Sequence, residues 1–234
     1  MPQTGGVIVM WGWAELTLSL LAFGVGHAVP VRPPVRAALV RQLGARGFTA
    51  AYSLLSVAIL GWVIVAAGRA PHVPLWEWTP WRAAVPFVAM AAVCALLAFG
   101  AARPNPFSFG GRDDARFDPT RAGIIRWVRH PLLLALAIWA LAHVIANGDL
   151  AHVAVFGLFA AFAVLGMWIV DRRKRRLMGA AWDDMRARLR AAPRVQRPLS
   201  WPGAMLRLGV AVGVYGALLW GHGWFAGVVP VWPW

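Results

Sequence analysis

Apolar residues run along this chain in six blocks, separated by short polar stretches that carry nearly all of its charge. The blocks cover residues 7–29, 48–68, 83–102, 131–147, 150–170 and 206–227. A bilayer core takes about 20 apolar residues of helix, so each block is long enough, or nearly so, to cross it. The fourth and fifth are the shortest and meet at Asn147-Gly148-Asp149, a tight-turn sequence that predicts a helical hairpin. After the fifth block the pattern changes. Leu177, Met178, Ala181, Trp182, Met185 and Leu189 recur at helical spacing within 171–192, with arginines filling most other positions. That spacing predicts an amphipathic helix lying on the inner leaflet, held there by anionic lipid. The loop 103–122, rich in Pro, Gly and Asp, reads as irregular. Its three aspartates could bind a metal, but beside four arginines they read better as a solvated loop. The expected fold is all-α: a polytopic membrane helical bundle of about six transmembrane helices plus a cytoplasmic amphipathic helix. Residues 1–200 would form a five-span membrane domain with that amphipathic helix, and 201–234 an additional C-terminal transmembrane helix.

Composition agrees: 60% of the 234 residues are hydrophobic and only 14% charged. The net charge of +14 would suit a nucleic-acid binder, but its distribution excludes one. Four arginines lie between spans one and two, six between three and four, and eleven basic residues from Arg172 to Arg207, leaving only Arg69 and Arg82. The charge therefore collects on alternate loops. This positive-inside bias makes the basic loops cytoplasmic and both termini periplasmic in a bacterial inner membrane. The first span lacks a basic n-region and is expected to be retained. A single cysteine, Cys94, excludes an intrachain disulfide and a cysteine-based metal cluster. Most of the 15 tryptophans fall near the outer ends of spans, from Trp11 and Trp13 to Trp232 and Trp234, as an interfacial belt would.

Ionisable groups inside a bilayer are costly and face a protein interior, where they bind or react. A rise of about 1.5 Å per residue sorts these groups by depth. His27, Arg129, His130 and Asp171 form an inner layer beside the basic loops. Glu15 and His143 lie towards the outside at comparable depth and could pair, with Asn147 one turn beyond His143 on the same face. Asp149 is placed to cap span five, and His152, His72 and His222 receive no role. His27, His130 and His143 are the histidines that ligation or proton chemistry would use.

Several segments resemble the NnrU family of membrane proteins: FGVGH at 23–27, NPFSF at 105–109, GIIRWVRHP at 123–131 and IWALAHVIANGD at 138–149. The resemblance runs from about residue 7 to 190, leaving the sixth span outside. The resemblance implies an association with nitrogen-oxide metabolism in denitrifying bacteria, with no settled activity. Zeta-carotene isomerases look like relatives; they bind b-type haem and isomerise a cis double bond. Their axial histidines match His27 and His143 here, but a cysteine of theirs corresponds to Ala140. Upright helices would hold His27 and His143 about 15 Å or more apart in depth, whereas His27 and His130 match better, so the partner of His27 stays open. Arg129 could then pair with a haem propionate.

RWVRHP followed by an apolar helix and then a charged one is also similar to isoprenylcysteine-type methyltransferases. There Arg129, His130 and Asp171 would be counterparts of residues holding S-adenosylmethionine. The tyrosine and glycine usual after RHP are replaced by Leu133 and Ala135. The reading is a haem b-binding NnrU-type membrane protein, handling nitrogen oxides or isomerising a polyene, with no catalytic residue assigned. The alternatives are an accessory protein of a respiratory or denitrification complex and a methyltransferase-like protein.

Overall fold

The computed structural model describes residues 3–231, with side chains from Met10 onward. Its helices are α1 (Gln3–Ala28), α2 (Pro33–Arg69), α3 (Pro80–Gly100), α4 (Pro131–Asn147), α5 (Leu150–Met178), α6 (Ala180–Ala191) and α7 (Trp201–Ala226). No strand occurs among the described residues. Among the described residues, four helices, α2, α3, α5 and α7, are long and apolar enough to cross a membrane. The 17-residue α4 is apolar but short, and α1 contains Glu15 as its one charged residue. Six spans is thus an approximate count, reached only if α1 and α4 also cross. Trp11, Trp78, Trp81, Trp220 and Trp224 are exposed, as a lipid-facing belt requires. Trp232 and Trp234 lie outside the described residues.

The chain forms two compact units, Met1–Trp76 with Asp149–Val155, and Glu77–Gly148 with Phe156–Trp234. In the first unit α1 packs along α2. Gly12 permits the approach, since a Cβ there would meet the Arg69 carbonyl oxygen at 2.8 Å. Within α2, Gly44 takes φ 70°, a left-handed value open to glycine, and divides the basic stretch carrying Arg36 and Arg41 from the apolar one. Glu15 pairs with Arg69 at 3.1 Å. The arginine at the far end of the neighbouring helix thus supplies a counter-charge that the sequence reading did not assign.

In the second unit α3 packs against both α4 and α7. Gly100 faces Pro131 so closely that any side chain there would strike the ring, which brings the end of α3 onto the start of α4. Ring and side-chain proximities link residue 143 to 156, 139 to 159, 133 to 166 and 130 to 171. Residue numbers in each pair sum to nearly the same value, so α4 and this part of α5 run antiparallel, as the turn at 147–149 predicted. Asn147 donates to the His143 carbonyl at 2.8 Å, and Gly148 ends α4 at φ 71°. Asp149 accepts from the backbone N–H of Ala151 and His152, which makes it the expected cap.

The basic segment departs from expectation. Residues 171–178 continue α5, and Gly179 at φ 56° turns the chain into the shorter α6. Much of the apolar face of α6 is covered by protein. Trp182 and Leu189 are 3% and 5% exposed, packed on Phe107, Ala122 and Ile125 with Met185 alongside. The loop 103–122 and the following turns therefore fold into a small core of their own. Asp114 holds the Asn105 N–H at 2.8 Å and Asp118 caps Thr120, so these aspartates organise the loop. Hydropathy marked the helix as amphipathic; it could not name the loop as its cover.

Candidate functional site

Where α4 begins, five side chains form one partly buried junction. Pro131 sits at the first position of the helix, compatible with its fixed φ, with His130 as the N-cap and Arg129 in the bend before it. His130 is 4% exposed. One of its ring nitrogens, Nε2, lies 2.9 Å from Asp171 Oδ1, and the other, Nδ1, lies 2.9 Å from Ser108 Oγ. Arg129 reaches the same carboxylate, with Nη2 at 2.6 Å from Oδ2. Asn105 donates to the Arg129 carbonyl at 2.9 Å and accepts from the Phe107 N–H. Burial pushes the His130 imidazole below its ordinary value of 6.5, against the opposing pull of Asp171. A neutral ring fits: Nε2–H donates to Asp171, Ser108 O–H donates to Nδ1, and Arg129 alone balances the carboxylate.

Three sequence candidates thus meet here, but they are bound to one another. Iron ligation by His130 would require giving up one of two hydrogen bonds, and a propionate would have to displace Asp171 from Arg129. Asp171, placed in the inner layer with Arg129 and His130, ties the start of α4 to α5. The junction also includes Ser108 and Asn105, which the sequence reading quoted within NPFSF without assigning a role. Their signal was a polar pair set between aromatics, Asn105 and Ser108 around Phe107.

The other two candidate histidines sit in aromatic surroundings. In the first unit, Nδ1–H of His27 donates to the Phe23 carbonyl at 2.9 Å, with the Phe23 ring at 4.2 Å and Tyr52 at 6.0 Å. In the second, Nδ1–H of His143 donates to the Trp139 carbonyl at 2.7 Å. A carbonyl can only accept, so Nδ1 carries the proton and Nε2 of the neutral ring keeps its lone pair. Trp139 and Phe156 flank His143 at 5.3 and 4.9 Å.

His222, given no role from sequence, enters here. Its ring lies 6.5 Å from that of His143 with an interplanar angle of 20°. Its Nδ1–H donates to the Val228 carbonyl at 2.7 Å, which leaves Nε2 as the second ring nitrogen. The glycines on either side, in Gly221-His222-Gly223, were the available sign that this histidine needs space. No group of three or more His, Cys, Asp or Glu suited to a bare ion occurs among the described residues.

These features define an all-helical membrane protein with a partly buried polar junction and separate histidines that donate through Nδ1 to backbone carbonyls. The chain belongs to the NnrU family: the profile described as NnrU protein matches residues 15–230. That match continues through α7, beyond the residue 190 limit of the motifs quoted above. No curated protein and no solved structure matches the chain.

Proposed function

We propose that this NnrU-family protein binds haem b, with His143 supplying an axial nitrogen. The observation that carries the reading is the clamp of His143 Nδ1–H on the Trp139 carbonyl, which aims the basic Nε2 out of a ring already fixed by aromatic neighbours. Ligating histidines are oriented by this kind of outer hydrogen bond. A porphyrin brings four nitrogens of its own, so the protein need supply only one or two, and an apolar, aromatic setting suits the macrocycle. His222, whose ring stacks 6.5 Å from that of His143, would be a second imidazole available to the haem. His27 carries the same clamp within its own unit and is tested alongside.

When bound, haem would supply redox chemistry and an iron able to take nitrogen oxides. Nitrogen-oxide handling or redox-dependent isomerisation are the activities that chemistry suits, and neither follows from the fold alone. This chain's own contribution is to hold each ligand in one tautomer and to surround it with apolar rings. Nothing in the junction of Arg129, His130 and Asp171 favours methyl transfer, because those side chains are spent on one another. The site is tested by replacing His143, His222 and His27 singly with Ala and recording the haem spectrum of each purified variant. Loss of pigment in His143→Ala supports the assignment; full retention there removes it.

Location is part of the proposal. With 21 of 23 basic residues on alternate loops, the protein sits in a bacterial inner membrane with both termini periplasmic. A reporter fused at the C-terminus should be active on the periplasmic side, and cytoplasmic activity there would overturn the six-span arrangement.

A further inference from the structure

In the second unit, the end of α3, the turn at 123–126, the segment 194–200 and the start of α7 enclose a half-open groove of about 420 Å³. Arg103, Arg121, Arg194, Arg197 and Arg207 line it, and no carboxylate does. None of the five takes part in an ion pair among the described residues. Like charges gathered in a concave, partly apolar wall raise the local potential and attract an anion. Burial, with Arg207 nearby, holds the Arg103 guanidinium below its ordinary range. Positive-inside bias explains why arginines occupy these loops. It gives no reason for five of them to converge on one cavity.

A second observation is independent of charge. Gln196 lines the same groove and accepts the Gly123 N–H at 2.9 Å through Oε1. Its Nε2 is buried with no hydrogen-bond partner. Buried amide donors are almost always paired, so this one asks for an acceptor. The remaining wall is apolar, with Phe99 and Leu199 among its residues.

We propose that this groove binds a phosphate group, carried either by the headgroup of an anionic phospholipid or by a free phosphorylated molecule. Guanidinium groups hold phosphate oxygens through paired, charge-assisted hydrogen bonds. The buried Gln196 amide would add one further donor by turning toward the ligand, and the apolar wall receives whatever the phosphate is attached to. The site stands apart from the histidines and does not depend on haem.

The test uses the full-length protein. One arm measures thermal protection by inorganic phosphate in neutral detergent at constant ionic strength. The other compares stability in nanodiscs of phosphatidylcholine with and without phosphatidylglycerol, and counts retained lipid by native mass spectrometry. Gln196→Glu keeps the acceptor for Gly123 but puts a carboxylate in the groove, and Arg197→Gln removes an exposed arginine from it. Arg173→Gln, outside the groove, is the charge-matched control. Binding should weaken about tenfold or more in both groove variants and be unchanged in the control. Protection by inorganic phosphate identifies a free phosphate ligand, and protection by phosphatidylglycerol alone identifies lipid. Absence of protection in both arms, or equal weakening in Arg173→Gln, overturns the proposal.

Discussion

Replacing Asp171 with alanine strips the junction at the start of α4 of its only anion. It leaves the Arg129 guanidinium, 32% exposed, without its 2.6 Å partner and the buried His130 Nε2 without an acceptor. Removing one member of a fully buried ion pair costs about 3–5 kcal/mol, because the other charge stays behind unpaired. The Asp171 side chain is itself 26% exposed, so solvent recovers part of that cost. A loss of about 2–3 kcal/mol is left once that screening is allowed for. For a chain of this size each kcal/mol lowers the melting temperature by about 2–4 °C, which gives a drop of about 4–12 °C. The assay is thermal unfolding of detergent-purified protein followed by fluorescence-detected size exclusion. Asp183→Ala is the control, since its pairing with Arg175 is exposed and long at 3.4 Å. That variant should melt within about 1 °C of wild type. If Asp171→Ala melts as wild type does, or if the control is equally damaged, the junction does not hold α4 to α5 as argued.

Two further predictions concern the same unit. Because burial lowers the His130 value below 6.5, the folded protein refuses a proton that the unfolded chain accepts. Stability from this group is therefore complete above that pH and is lost as pH falls through it, and His130→Gln should flatten the acid limb of a melting-temperature profile. An unchanged acid limb would show that His130 is not the group responsible. Trp182→Ala opens the core between α6 and the 107–125 loop, where a buried Trp is worth about 3–5 kcal/mol. Hydrogen exchange should then rise across α6 while the centre of α4 keeps its protection, and equal exchange in both would contradict a separate α6 core.

The helices were legible in the sequence because bilayer length and apolar composition fix them almost independently of packing. Caps were legible for a similar reason: Asn147, Gly148 and Asp149 act on backbone groups a few residues away. Partner choice was not. Glu15 and His143 share a depth in the chain, yet Arg69, from the far end of α2, neutralises Glu15. Depth orders residues along the membrane normal and says nothing of helix rotation or neighbour. The same limit explains Asp171, whose bonds to Arg129 and His130 depend on α4 and α5 running antiparallel in one particular register. It also explains α6, whose apolar stripe has the same sequence pattern whether lipid or a loop covers it. His222 was missed because a lone histidine near a helix end has no local signal beyond its flanking glycines.

The central claim is haem ligation at His143. The most direct measurement is the ultraviolet–visible spectrum of the purified protein from haem-replete cells, oxidised and dithionite-reduced, with pyridine haemochrome quantitation. The account predicts a b-type spectrum near one haem per chain that is lost in His143→Ala. A folded, colourless protein would contradict it, and would move the reading to an accessory role in a respiratory or denitrification complex.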